Sequence, residues 1–184
     1  GFDVGSNVLH TLALAAIADG LSLQSAVERA GIEGSLDLAE ALAAGRLLSP
    51  VEHQDPGLMV RSGTGLPHHG SAEGRDKMHG GAPAGDKLTD SMRMFLEGVE
   101  GGKPAPGAVG QQPEWFYKGD GSQLVAPGAD FAMPAFAQDG GEEPELAGIY
   151  LIGPDGTPWR VGFCLANEFS GHLTGGHKYL WLGH

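Results

Sequence analysis

The sequence predicts an α+β fold, with helices and strands in different stretches of the chain rather than in alternation. Three observations predict it. Residues 6–48 carry apolar positions at helical spacing, interrupted by glycines. From residue 113 onward the pattern shifts to short apolar runs separated by Gly-Asp-Gly and Pro-Gly turns. Finally, Gly153-Pro154-Asp155-Gly156-Thr157-Pro158 separates two strand-like runs, 145–152 and 159–165, and so reads as the turn of a hairpin.

In chain order, Val8, Leu9, Leu12, Ala15 and Ala16 fall on one face of a first helix. Ser6 or Asn7 caps its start and Gly20 marks its end. A second helix follows Ser22 and runs to Ala30 before Gly31. A third follows Ser35 and runs over 36–44 to Gly45. Residues 49–85 are broken by Pro50, Pro56, Pro67 and Pro83, with Leu58-Met59-Val60 as a short buried strand leading into a glycine-rich loop. Residues 86–100 read as a helix with Leu88, Met92, Phe95, Leu96 and Val99 on one face, ended by Gly101-Gly102. Short strands are expected at 115–117, 124–126 and 131–133. The domain division is a helical N-terminal segment over 1–57 and a β-rich domain over 58–184.

Composition excludes several classes. The chain has 184 residues, 11 basic against 23 acidic, and a formal net charge of −12. Such a charge disfavours a phosphate backbone or an anionic membrane surface. The single Cys164 rules out an intramolecular disulfide framework and a cysteine-based zinc site. No apolar run reaches the roughly 18 residues of a membrane span, and no signal peptide precedes the first helix. The expectation is a soluble cytoplasmic protein. The chain starts at Gly1 without a Met and ends on Tyr179-Leu180-Trp181-Leu182-Gly183-His184, which reads as the middle of an element. A piece of a longer protein is therefore expected.

Three constellations carry chemistry. Glu143 and Glu145 share one side of an extended segment, because side chains alternate with period two. The return strand of the hairpin brings Glu168 alongside. Three hard oxygen donors suit Mg²⁺ or Mn²⁺ rather than zinc; the alternative is a solvated acidic turn. The second constellation is the loop holding His68, His69 and His79 with Glu73, Arg75 and Asp76. A His–carboxylate pair is a general base, the histidines are a weak metal site, or the loop is merely solvated. The third is Lys118, which follows three aromatics and precedes Gly119-Asp120-Gly121-Ser122. It holds a substrate carboxylate or snorkels to water. Gly63-Thr64-Gly65 lacks the rest of a dinucleotide fingerprint, and neither Ser71 nor Ser170 sits in a nucleophile elbow.

These pieces together resemble the fumarylacetoacetate hydrolase superfamily over about 58–173. The residues that carry the resemblance are Trp115-Phe116-Tyr117-Lys118-Gly119-Asp120-Gly121-Ser122, Val125-Ala126-Pro127-Gly128, Glu143-Pro144-Glu145-Leu146 and Asn167-Glu168-Phe169-Ser170-Gly171-His172. Thr64-Gly65-Leu66 with His68, Arg75-Asp76 with Met78-His79, and 88–95 are similar to the branch of bacterial arabinose and sugar-acid catabolism. The resemblance implies a mixed β-sandwich roll, incomplete at its C-terminus, that assembles as a homodimer. It implies Glu143, Glu145 and Glu168 as ligands of Mg²⁺ (or Mn²⁺), with Glu168 standing where most members have Asp. It implies His68, Glu73 and Lys118 as catalytic, and His69, Arg75, Ser170 and His172 as substrate-binding. The superfamily's Asn-Tyr before the catalytic His is absent here, and His172 replaces the usual Arg.

The activity so implied is dehydration of a 2-keto-3-deoxy sugar acid through a metal-stabilised enolate. The alternatives are hydrolysis of a C–C bond in an acylpyruvate, and a non-catalytic relative that binds a ligand. No nucleic acid and no membrane is expected as partner, only a small 2-oxo acid.

Overall fold

The computed structural model describes residues 8–31, 34–65, 69, 70, 72, 74, 90–171 and 173. It mixes helices with small two-stranded sheets. The residues fall into two compact units, Gly1–Met59 with Asp120–His184, and Val60–Gly119.

The first unit begins with α1 (Val8–Ala18), α2 (Leu23–Ala30) and α3 (Leu38–Ala43). Gly20 takes φ 64°, in the left-handed region, and lets the chain leave α1. The Ser22 hydroxyl accepts the Ser25 N–H at 3.1 Å, the expected cap of α2. The third helix differs from the expectation. Asp37, not Ser35, caps it, accepting the Glu40 N–H at 2.8 Å, so α3 starts two residues later. An ionised carboxylate at a helix N-terminus also meets the positive end of the dipole, which a hydroxyl does not. The buried side chains of these helices are small: Ala13 and Ala16 on α1, Ala26 on α2 and Ala41 on α3. The His10 ring meets His53 edge-on at 4.9 Å, tying α1 to the segment after α3.

The expected strand at 58–60 is corrected. Leu58 closes a 3-10 turn, Pro56–Leu58, whose Gly57 N–H is accepted by Asp55 at 3.0 Å. Leu58 and Val60 are 69% and 67% exposed, so neither is a core residue. Residues 124–126 and 131–133 are not strands either. Pro127 and Pro134 follow each apolar triplet directly and remove ladder donors. Phe131 instead stacks on Phe169, ring centroids 5.1 Å apart and 6° from parallel.

The dominant element is a hairpin of β3 (Gly141–Ile152) and β4 (Pro158–Ser170), longer at both ends than the sequence pattern indicates. The two strands pair antiparallel along their whole length. Their turn is closed by Gly153 N–H to Thr157 O at 2.8 Å, and Gly156 takes φ 82°. Asp155 accepts the Thr157 N–H at 3.0 Å and its hydroxyl at 2.8 Å. The ladder carries one irregularity. Ile149 faces Gly162 and Tyr150 faces Arg160, which leaves Val161 as an extra residue in β4. One face of the hairpin holds Gly141, Glu143, Glu145, Ala147 and Ile149 opposite Ser170, Glu168, Ala166, Cys164 and Gly162, all half-buried except the exposed Glu145. The other holds Leu146, Phe163 and Leu165, with Leu165 89% exposed.

The second unit pairs β1 (Val60–Thr64) with β2 (Trp115–Asp120), Gly65 N–H donating to Glu114 O at 2.9 Å just beyond the strands. It also contains α4 (Asp90–Gly101). The expected helix start at 86–89 lies outside the described residues. Met94, Phe95 and Gly98 are its covered positions together with Met92, whereas Leu96 and Val99 are exposed. The buried stripe is thus rotated from the one the apolar pattern marks, because it runs over Gly98, which has no side chain to signal it. Among the described residues no helix is long and apolar enough to cross a membrane.

The hairpin turn yields a pH prediction. The hydrogen bonds from the Thr157 backbone and hydroxyl hold the Asp155 carboxyl below its ordinary pKa. A lowered folded pKa means that the unfolded chain binds more protons in that window, so stability rises with pH there. Asp155→Asn should therefore lower the melting temperature at neutral pH. The gap to wild type should shrink as pH falls from the ordinary carboxylate value through the lower folded one. Thermal unfolding across that range checks it, and a pH-independent gap would contradict it.

Candidate metal centre

The ladder register decides which carboxylates meet. Glu143 lies directly opposite Glu168, and Glu145 opposite Ala166. Residues directly opposite share a face, and so do residues two apart on one strand. Glu143, Glu145 and Glu168 therefore project from the same side of the hairpin. One carboxylate oxygen from each lies within 4.8 Å of those of the other two. Glu143 and Glu168 are half-buried and Glu145 is exposed. Oε1 of Glu168 is sheltered from solvent.

Two neighbours fix Glu143. The Ser170 hydroxyl donates to its Oε1. Its backbone N–H donates to Asn167 Oδ1 at 3.0 Å. Pro144, opposite Asn167, has no N–H of its own to give. Around Mg²⁺, oxygens at 2.0–2.1 Å from the ion stand about 3–4 Å apart; the three carboxylate oxygens here lie within 4.8 Å of one another. The donor set is all carboxylate oxygen, which favours Mg²⁺ or Mn²⁺ over softer metals.

Lys118 lies on β2. Its Nζ stands 5.3 Å from the Phe116 ring centroid, and its backbone carbonyl accepts from Arg61 Nη2 at 2.8 Å. The residue as a whole is half-buried. His69 is exposed and meets Phe95 of α4 edge-on at 5.3 Å. Ser170, expected to bind substrate, has its hydroxyl directed to Glu143. His68, Glu73, Arg75 and His172 lie outside the described residues, as do Asp76 and His79.

Asn167 is a site residue that the carboxylate pattern does not single out. No family model matches the chain, and no curated protein or solved structure matches it.

Added Mg²⁺ should raise the melting temperature of the wild-type chain, because a ligand bound only by the folded state stabilises it. Glu145→Gln should lose that shift. Without metal it should match or exceed wild type, since it removes a like charge from beside Glu143 and the diagonally placed Glu168. Ser170→Ala should keep the shift but weaken metal affinity about tenfold. Thermal shift and titration calorimetry with Mg²⁺ and Mn²⁺ check all three.

Proposed function

We propose that this chain is a Mg²⁺-dependent enzyme of the fumarylacetoacetate hydrolase type that dehydrates a 2-keto-3-deoxy sugar acid. The observation that carries the reading is the convergence of Glu143, Glu145 and Glu168 on one face of the hairpin. The sequence stretches around Lys118 and Glu168 that resemble the superfamily support it. On this reading the chain folds as part of a mixed β-sandwich roll and works in the cytoplasm as a homodimer.

Glu143, Glu145 and Glu168 would hold the ion, with Ser170 orienting Glu143. A bound Mg²⁺ or Mn²⁺ supplies Lewis-acid polarisation of the carboxylate and keto oxygens of a 2-oxo acid. His68 or Lys118 would take the C3 proton as general base, and the same group would hand a proton to the neighbouring hydroxyl, which leaves as water. Arg75, His69 and His172 are assigned to holding the substrate, and Glu73 to orienting the histidine.

The test is turnover of a panel of 2-keto-3-deoxy sugar acids and acylpyruvates, with Mg²⁺ and with EDTA. Metal-dependent loss of a keto-deoxy acid without C–C cleavage is expected, and Glu143→Ala should abolish it. Release of pyruvate with a second acid would replace dehydration by C–C hydrolysis. Metal binding without turnover of either class would leave a ligand-binding protein.

A further inference from the structure

We propose that Gly63 is the positioning residue for Lys118, and that the space left by its missing side chain holds the lysine along the Phe116 ring. Gly63 lies on β1 and Lys118 on the paired strand β2. A Cβ built at residue 63 would lie 2.5 Å from Lys118 Cε, 2.6 Å from Phe116 Cε2 and 2.8 Å from Phe116 Cζ. All three distances are shorter than real Cβ contacts tolerate. The backbone does not demand glycine here, because Gly63 does not have a positive φ. What the position needs is room.

The room is filled in one particular way. The Lys118 stem and the Phe116 ring cross β1 over residue 63, and the ammonium stands 5.3 Å from the ring centroid. That distance is within the range of a cation–π interaction. The Lys118 backbone is fixed independently by the Arg61 guanidinium, which donates to its carbonyl at 2.8 Å. The main chain of Lys118 is thus held by Arg61, and its side chain by the gap at Gly63.

The atoms that a Cβ would strike are the ends of rotatable side chains, not backbone. An alanine at 63 is therefore accommodated by rotating Lys118 and Phe116 away, with the β1–β2 pairing kept. Gly63→Ala separates lysine placement from folding. That Lys118 serves the proposed reaction rests on the reading above; where its ammonium lies does not.

The experiment uses the full chain with its lysines dimethylated by ¹³C-formaldehyde and a borane reductant. The Lys118 methyl signal is identified by its loss in Lys118→Arg. In wild type it should lie upfield of the exposed lysines, within the ring current of Phe116. Gly63→Ala should move it to the exposed-lysine position, and so should Phe116→Leu, with the circular dichroism spectrum unchanged. Where unmodified wild type turns over substrate, unmodified Gly63→Ala should lower kcat and leave KM nearly unchanged. A Lys118 signal that stays in place in Gly63→Ala overturns the proposal, and so does a Gly63→Ala chain that fails to fold. Loss of the upfield shift in Gly63→Ala, when the wild-type protein turns over no 2-oxo acid, would uphold the positioning and sink only the enzymatic reading.

Discussion

The pairing of Glu143 with Glu168 across β3 and β4 is the constraint on which the candidate centre depends. A slip of one residue in an antiparallel ladder sends every side chain of one strand to the opposite face. The register is set from the turn, where Ile152 faces Pro158. A regular ladder from that turn would bring Glu143 opposite Asn167 and Glu168 opposite Glu142. The extra residue Val161 shifts the pairing by one, and Glu168 joins the face of Glu143 and Glu145. Bulges commonly re-aim side chains near sites; here a single one determines whether three carboxylates converge.

Convergence has an electrostatic cost in a chain of net charge −12. Like charges directly opposite on a ladder destabilise it. The hairpin offsets this with polar bonds at the same end: the Ser170 hydroxyl on Glu143 Oε1, and Asn167 on the Glu143 N–H. The stack of Phe131 on Phe169 anchors β4 between Glu168 and Ser170 from the other face. A divalent cation held by the trio would offset this repulsion, which would link metal binding to hairpin stability.

Much of this was legible in the sequence, and the failures have physical causes. The turn at 153–158 and the Glu-x-Glu spacing predict the hairpin and the shared face, because both depend on local geometry with period two. The bulge is not legible, since a valine is an ordinary strand residue and carries no bulge signal; only the pairing reveals it. The helix capped by Ser22 was legible from its cap, whereas Asp37 outcompeted Ser35 two residues on. The apolar triplets 124–126 and 131–133 looked like strands, but the prolines after them prevent a ladder, and Phe131 packs by its ring instead. In α4 the pattern misled because Gly98 lies on the covered stripe and carries no apolar side chain to mark it.

The glycine content has a use beyond turns. The most buried apolar side chains among the described residues are all alanines, and no large side chain is fully buried. Two-stranded ribbons offer no second sheet against which a large ring can bury itself. The rings instead lie over backbone that has no Cβ. Phe116 crosses Gly63, and the Phe169 ring approaches to 2.5 Å of where a Cβ at Gly140 would stand. Trp159 does the same at Gly153, its Nε1 lying 2.9 Å from the corresponding position. Each contact removes apolar ring surface from water without a partner element, and each fixes the direction of its strand neighbours. Phe169 does so between Glu168 and Ser170, and Phe116 two residues before Lys118. The glycines in these ribbons thus act on the candidate functional side chains through the aromatic rings that they admit.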